Sequence, residues 1–571
     1  MNDIQGAGGR QTSGIALGIS GVVKPTPEKA ITPRIAFVLI LVLVVPSVYW
    51  VFNDHRVWPW DQAWYGEVST ELWFNATHHF GKWMSSMIRA FGTKAPGVAL
   101  IGQFFVPVGR LLGSVESGLL LSVIACQVGT LFLLLKIGRR LSPALRLVPI
   151  AGLLTAAAAP LFVALSHQYV AEPLQLFGVT YFYYLAASAE TIPKRSLLGH
   201  LLVATSVAML AKVTSPIYCA LPGSVTLVSL VHKFRRKDLP AATRPFWKEP
   251  AIVTGVILLT VCIAWYAKNF GLVRDFVRLA SSSEVALDYG HRGAFREKFV
   301  LWLNASQSSL ALPVILICVA ILLLVAVATP ASRERDQRRS TITRPWFLAV
   351  LSALHILGVL CLFSLNINEE TRYLLPLLPA VAIVVMWCLS RSRFPVIALG
   401  VIVLAAVQWI AVYGQALSFT GRNSKISYWL HPFDADRRNM NEIENLAKAT
   451  SRPESSGRYN IVGVEHPWLN ANSLAFEAAK EQLSTGHRCY YTSLGYAAKD
   501  LDPAWDRMAG MNSLYFISLA EASSPEPPNF LNQISIPMLK RVQNSPEFVR
   551  EPFESGLGIV VFRREASVPV H

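Results

Sequence analysis

The sequence predicts an α-helical multi-pass membrane protein of about eleven membrane-spanning helices, followed by a C-terminal extracytoplasmic α/β domain. Three observations predict it. Hydrophobic residues make up 53% of the 571 positions and charged residues only 15%, against about 25% charged in ordinary soluble domains. Apolar runs near the ~20 residues needed to cross a hydrocarbon core recur between Ile35 and Tyr413. Beyond Tyr413 these runs shorten, and Asn, Ser, Glu and Pro become common.

Residues 1–34 are rich in Gly, Ser, Thr and Pro and lack an apolar core. They read as a disordered cytosolic tail rather than a cleavable signal peptide. The expected spans are 35–52, 117–137, 145–165, 172–190, 196–211, 214–231, 251–268, 307–328, 346–365, 373–390 and 394–414. A further apolar stretch, Gly97–Leu112, is short and interrupted by Pro107 and Arg110. Counting it as a span would invert everything after it.

The distribution of basic residues decides that question. With 97–112 re-entrant or lying along the interface, Arg139/Arg140/Arg146, Lys194/Arg195, the Lys233–Lys248 and Arg333–Arg344 clusters and Arg391/Arg393 all fall on one side. Lys24, Lys29 and Arg34 of the tail join them in the cytosol. The net charge of +16 is thereby explained by topology, and nucleic acid is not the expected partner. The chain is expected in the inner (cytoplasmic) membrane, with the first loop 53–116 and residues 415–571 on the outer side.

In the C-terminal segment, 459–464, 488–494, 513–519 and 558–564 read as strands. Residues 441–450, 472–483 and 530–542 show helical spacing. Alternation of the two implies an α/β layer domain. Neither a phosphate-binding glycine loop nor a Cys/His metal spacing occurs, and only Cys489 of the seven cysteines lies outside apolar segments.

Ionisable residues at span ends are costly to keep beside lipid and are functional candidates for that reason. On the outward face these are Asp61, Glu67, Lys94, Glu172, Lys212, Glu369, Glu370 and Arg372. Asp61 stands in WPWDQAWYGEV, among Trp58, Trp60, Trp64 and Tyr65. An interfacial aromatic belt accounts for the tryptophans but not for the carboxylate. Burial among rings would raise the pKa of Asp61 and suit it to act as a base. Asp61 and Tyr65 are spaced to share one helix face. His78, His79 and Glu71 leave a divalent cation open, although adjacent histidines do not share a helix face.

Six stretches carry a resemblance: WDQAWYGEV (60–68), TKAPGVALIG (93–102), YVAEPLQLF (169–177), ETRYLLPLLP (370–379), LAKVTSP (210–216) and WYAKNFG (265–271). Their order and spacing resemble the GT-C superfamily of membrane glycosyltransferases. They are most similar to the branch of the lipid A aminoarabinose transferases, the polyprenyl-phosphate-mannose protein mannosyltransferases and the rhizobial lipopolysaccharide transferases. Three positions depart from the pattern. Gln62 follows Asp61 where relatives often carry a second acid, Ala95 interrupts a Lys-Pro-Pro element, and Glu172 replaces an Asp.

The resemblance implies a GT-C type fold and an inverting transfer of a sugar from a polyprenyl-phosphate carrier in the membrane lipid. The acceptor would be a cell-envelope glycolipid, polysaccharide or protein, and no organic cofactor is implied. In that reading Asp61 takes the proton of the acceptor hydroxyl, and Arg372 and Lys212 surround the leaving phosphate. Lys94 either holds the same phosphate or fixes the loop. Tyr65 and Tyr373 orient groups or stack on the sugar, and Glu172 binds sugar hydroxyls or holds Asp61. Glu67, Glu369 and Glu370 are further substrate-binding candidates. The competing reading is a transporter or flippase of a lipid-linked substrate; the internal repeat such a machine often shows is not visible.

Overall fold

A computed structural model describes residues 32–54, 56–143, 145–235, 249–310, 345–391, 395–416, 437–453, 457–496, 498–511, 513–523 and 530–565. Residues 1–31 of the expected tail 1–34, most of the expected span 307–328, most of the Lys233–Lys248 cluster and the whole Arg333–Arg344 cluster lie outside the described residues. Mean composition dictates the rest: an apolar chain in lipid satisfies its backbone within helices.

Helix α1 (Pro33–Asn53) starts where the Thr32 hydroxyl accepts from the Ile35 amide and Pro33 pre-sets the first turn. The first loop is itself helical, with α2 (Trp60–His78) and α3 (Phe80–Arg89). The stretch 97–112 forms two six-residue helices, α4 (Gly97–Gly102) and α5 (Val106–Leu111). At 1.5 Å per residue each is about 9 Å long, far short of a crossing. Next come α6 (Val115–Leu141), α7 (Leu147–Ala157), α8 (Pro160–Ala164), α9 (Glu172–Ser188), α10 (Lys194–Ala211) and α11 (Ser215–Arg235). They are followed by α12 (Pro250–Ser282), α13 (Phe295–Leu310), α14 (Pro345–Ser364), α15 (Leu378–Arg391) and α16 (Pro395–Ala416). A 3-10 helix, Thr371–Leu377, leads into α15.

Ten of the eleven expected spans thus coincide with helices, but not all meet the length and hydropathy of a full crossing by themselves. Seven do, or eight if α7 and the segment Pro160–His167, bent by 60° ahead of Pro160, make one span. Helix α9 has only 17 residues, and α10 opens on Lys194 and Arg195. Among the described residues, seven to eight helices therefore meet the length and hydropathy of a full crossing by themselves, and α9 and α10, shorter or more polar, pack among them. Helix α12 has 33 residues, about 50 Å, and runs well past the expected limit at residue 268. Helices α6, α7, α9 and α15 form the buried centre, while α1, α12 and α16 show apolar outer faces such as Ile257, Ile263 and Val407, as lipid-facing helices do.

The C-terminal part is a five-stranded sheet in the order β2-β1-β3-β5-β4. Its strands are β1 (Tyr459–Val462), β2 (Tyr490–Ser493), β3 (Tyr515–Leu519), β4 (Phe548–Glu551) and β5 (Ile559–Arg564). The β2-β1-β3 half is parallel and the β3-β5-β4 half antiparallel. Successive residues point to opposite faces, so Val462 and Ile517 meet α17 (Arg437–Thr450) and α18 (Ala471–Thr485). On the other face, Ile461 and Phe516 meet α19 (Leu501–Gly510) and α20 (Ser535–Gln543). The four expected strands are present; β4 and α19 are additions the sequence reading did not contain.

Candidate active site

Five chain segments converge on one cluster of charges. Asp61 occupies the first turn of α2 and Tyr65 follows one turn later. Lys94 sits in the bend between α3 and α4, where Phe91 and Gly92 take positive φ. Glu172 opens α9 next to Pro173. Lys212 is the extended C-cap of α10, beside a corner that Gln175 ties down through Thr214 and Ser215. Arg372 and Tyr373 lie in the first turn of the 3-10 helix.

The contacts form a continuous network. Lys94 donates to Asp61 Oδ1, and Arg372 Nη2 lies 3.5 Å from Asp61 Oδ2. Arg372 also bonds Glu370 Oε2 at 2.7 Å and lies 3.2 Å from Glu172 Oε1. Lys212 Nζ bonds the same Glu172 oxygen at 2.6 Å and stands 4.1 Å from the centre of the Tyr373 ring. Three carboxylates and three cations are therefore interleaved. Glu172 is sealed at 2% side-chain exposure, whereas Asp61 keeps 34%. Asp61 is thus the open carboxylate of the network and Glu172 the one that holds the cations.

Electrostatics corrects one expectation. Burial does favour the neutral acid at Asp61, but Lys94, Arg372 and Lys212 outweigh it and hold the carboxyl well below its ordinary pKa. The anticipated rise is therefore reversed by partners that the aromatic surroundings did not reveal. At Lys212 burial is the larger influence and pulls the ammonium pKa down, with Glu172 opposing it.

Eight of the ten sequence-selected residues come together here: Asp61, Tyr65, Lys94, Glu172, Lys212, Glu370, Arg372 and Tyr373. Tyr65 belongs to the set because, after burial, Asp61 and Glu172 are what raise its phenol. Glu67 and Glu369 stand apart. Glu67 and Glu71 bond Arg488 of the sheet domain at 2.6 and 3.0 Å. Glu369 pairs with His291 at 3.0 Å and Lys298 at 3.3 Å. His78 turns onto the Phe74 carbonyl and ring. With Glu71 committed to Arg488, these groups do not converge, and among the described residues no group of three or more His, Cys, Asp or Glu could hold a metal ion.

Sequence reasoning missed the groups that come from far along the chain. Tyr289 and Tyr496 share a 2.6 Å hydrogen bond between hydroxyls and pack on Phe530. Burial is the largest influence raising both phenols, and the Asp61 and Glu370 carboxylates raise them further; the Tyr289 carbonyl accepts from the Glu369 amide at 3.0 Å, next to Glu370. Glu465, in the loop after β1, accepts from the Trp60 indole at 2.9 Å. No local sequence signal marks any of these.

No family model matches the sequence, and no curated protein matches it. Solved structures do match in fold. ArnT from Cupriavidus metallidurans in the apo state superposes at a TM-score of 0.53 with 14% identity, covering 93% of this chain and 98% of that one. ArnT bound to undecaprenyl phosphate gives 0.53 and 13%, over 93% and 98%. The arabinofuranosyltransferase AftD from Mycobacteria gives 0.53 and 12%, over 94% of this chain but 40% of that one. The GT-C type fold that the sequence motifs imply is the observed fold across most of the chain.

Proposed function

We propose that this chain, which has the fold of GT-C membrane glycosyltransferases, moves a sugar from a polyprenyl-phosphate carrier to an envelope acceptor, with inversion. The observation that carries the reading is the contact of one open carboxylate, Asp61, with two cations from different corners, Lys94 and Arg372. ArnT, of the same fold, has a structure bound to undecaprenyl phosphate, which supports a polyprenyl phosphate as the lipid. The site faces the outer side of the cytoplasmic membrane, where a lipid-linked donor replaces a nucleotide sugar.

Asp61 accepts the proton of the acceptor hydroxyl as that oxygen attacks the anomeric carbon. The bond from that carbon to the phosphate oxygen breaks, and its electron pair leaves with the polyprenyl phosphate. Arg372, Lys212 and Lys94 stabilise the charge that grows on the phosphate. In the free protein these cations are already matched by Asp61, Glu172 and Glu370. An arriving phosphate draws Lys94 and Arg372 toward itself, weakens their hold on Asp61 and lets burial raise its basicity when it is needed. Tyr289 and Tyr496 offer hydroxyls and ring faces to the acceptor sugar. The acceptor class remains envelope glycolipid, polysaccharide or protein.

The test uses the purified full-length protein with a total lipid extract of its native membrane, which contains its donor. Release of polyprenyl phosphate is measured for wild type, Asp61→Asn and Arg372→Ala. Asp61→Asn is expected to lose at least 100-fold, on the scale of general base catalysis (about 10²–10⁴), while still binding undecaprenyl phosphate. Arg372→Ala is expected to weaken that binding. Movement of labelled lipid across vesicles without release would favour a transporter instead.

A further inference from the structure

Asp61 is the second residue of α2, and the start of that helix is unusual. Its N-cap is Pro59, which makes no side-chain capping bond, so the first turn lacks the contact that normally fixes it. The residue between cap and carboxylate, Trp60, has φ of +28°. A bulky L-residue there is strained, and such strain persists only where the surroundings enforce it.

What enforces it lies 405 residues away. The Trp60 indole donates to Glu465 Oε2 at 2.9 Å. Glu465 is in turn fixed by its backbone: the Asn532 amide accepts from its N–H at 2.7 Å and donates to its carbonyl at 2.8 Å. Burial pushes the Glu465 carboxyl up to about 7, with the Trp60 indole and the Ala471 amide at the start of α18 acting the other way. The grip continues along α2. Trp58 stacks on Phe476 of α18 at 5.0 Å. A Cβ on Gly66 would lie 2.9 Å from that same Phe476 ring, and Glu67 reaches Arg488.

We infer that Glu465 is a positioning residue for Asp61: through the Trp60 indole, the C-terminal sheet domain holds the first turn of α2 in a strained conformation that aims the Asp61 carboxylate into the site. The sheet domain is thereby a working part of the active site as well as a docked neighbour. This rests on the transferase reading of Asp61.

The experiment measures polyprenyl phosphate release from the native lipid extract, together with equilibrium binding of undecaprenyl phosphate. The variants are Glu465→Gln, Glu465→Ala, Trp60→Phe and the Glu465→Ala/Trp60→Phe double. Trp60→Phe keeps an aromatic six-membered ring and deletes the indole N–H together with the pyrrole ring that carries it. It and Glu465→Ala are expected to lower turnover at least tenfold with undecaprenyl phosphate affinity within about twofold of wild type. The double variant is expected to be no worse than either single, because both remove one contact. Glu465→Gln, whose amide oxygen still accepts, is expected to retain most turnover. Full turnover in Trp60→Phe overturns the inference, as does additivity in the double variant, or a loss of turnover matched by loss of lipid binding. A wild-type protein that releases no polyprenyl phosphate, or an Asp61→Asn variant that releases it normally, fails the transferase reading itself and is recognised separately.

Discussion

At the scale of single residues, the site solves a conflict. A carboxylate that is to act as a base must be ionised, yet the aromatic surroundings of Asp61 and its burial favour the neutral acid. Lys94 is the largest influence in the opposite direction and Arg372 the next. The folded-state pKa of Asp61 is therefore depressed, the carboxylate is ionised throughout the neutral range, and activity that depends on it falls only when pH drops through that depressed value. Removing Lys94 takes away the main depressing charge and leaves burial in place, so the pKa rises. Lys94→Ala is accordingly expected to move the acidic limb of kcat/KM upward by about 1–2 pH units, the scale of one adjacent opposite charge. Lys94→Arg should leave the limb near its wild-type place. The limb reports the free protein, so it is measured at subsaturating donor; an unmoved limb in Lys94→Ala would remove Asp61 as the group that sets it.

At the scale of elements, one close approach brings the lysine corners together. A Cβ on Gly97 would lie 2.5 Å from the Leu210 carbonyl oxygen and 3.0 Å from the Ala211 nitrogen. Both are backbone atoms next to Lys212, so neither can swing aside. The glycine lets α4 touch the end of α10, so that the bend bearing Lys94 and the corner bearing Lys212 lead into one charge network. Gly97→Val is expected to lower transfer at least tenfold and to weaken undecaprenyl phosphate binding, with the protein still inserted. Gly81, with open space around it, provides the control, since Gly81→Ala should change neither readout. Such contacts explain what could be read from the chain and what could not. The long apolar helices and the four longer apolar strand runs were legible because period and length reveal them, whereas β4 (FVRE) is only four residues long and α19 (LDPAWDRMAG) is a ten-residue helix that opens on the turn-like run Asp500-Leu501-Asp502-Pro503. Tyr65 and Tyr373 came with the resemblance, and six site residues were legible because charge at a span end needs a reason. Glu67 was selected on the same ground, yet six residues beyond Asp61 it points about 120° around the helix, while Tyr65, four beyond, is within about 40°. Tyr289, Tyr496 and Glu465 reach the site only through tertiary contacts, which no local pattern encodes.

At the scale of the whole molecule, the ends of the helices sort themselves. Helix α6 begins at Glu116, which bonds Lys480 of the sheet domain at 2.5 Å, and ends at Arg139 and Arg140. Helix α9 begins at Glu172 in the charge cluster. Helix α10 runs the other way, from Lys194 and Arg195 to Lys212. Helix α11 ends at Lys233 and Arg235, and Lys233 bonds the Glu190 carbonyl just past α9. The Arg372 segment leads through α15 to Arg391. Each of these helices thus has the site or the sheet domain at one end and basic residues at the other. In the proposed orientation the basic ends stay in the cytosol, and Asp61 and the sheet domain are then outside together. The contacts Trp60–Glu465 and Glu67–Arg488 leave no arrangement in which the two are on opposite sides. In a variant with all seven native cysteines replaced, single cysteines at Lys499 and Arg140 test the orientation, since both positions are exposed. A membrane-impermeant maleimide applied to right-side-out vesicles is expected to label Lys499→Cys at once and Arg140→Cys only after the membrane is opened. The reverse pattern would place Asp61 in the cytosol, where nucleotide sugars are at hand, and the reason for a polyprenyl-phosphate donor would fall with it.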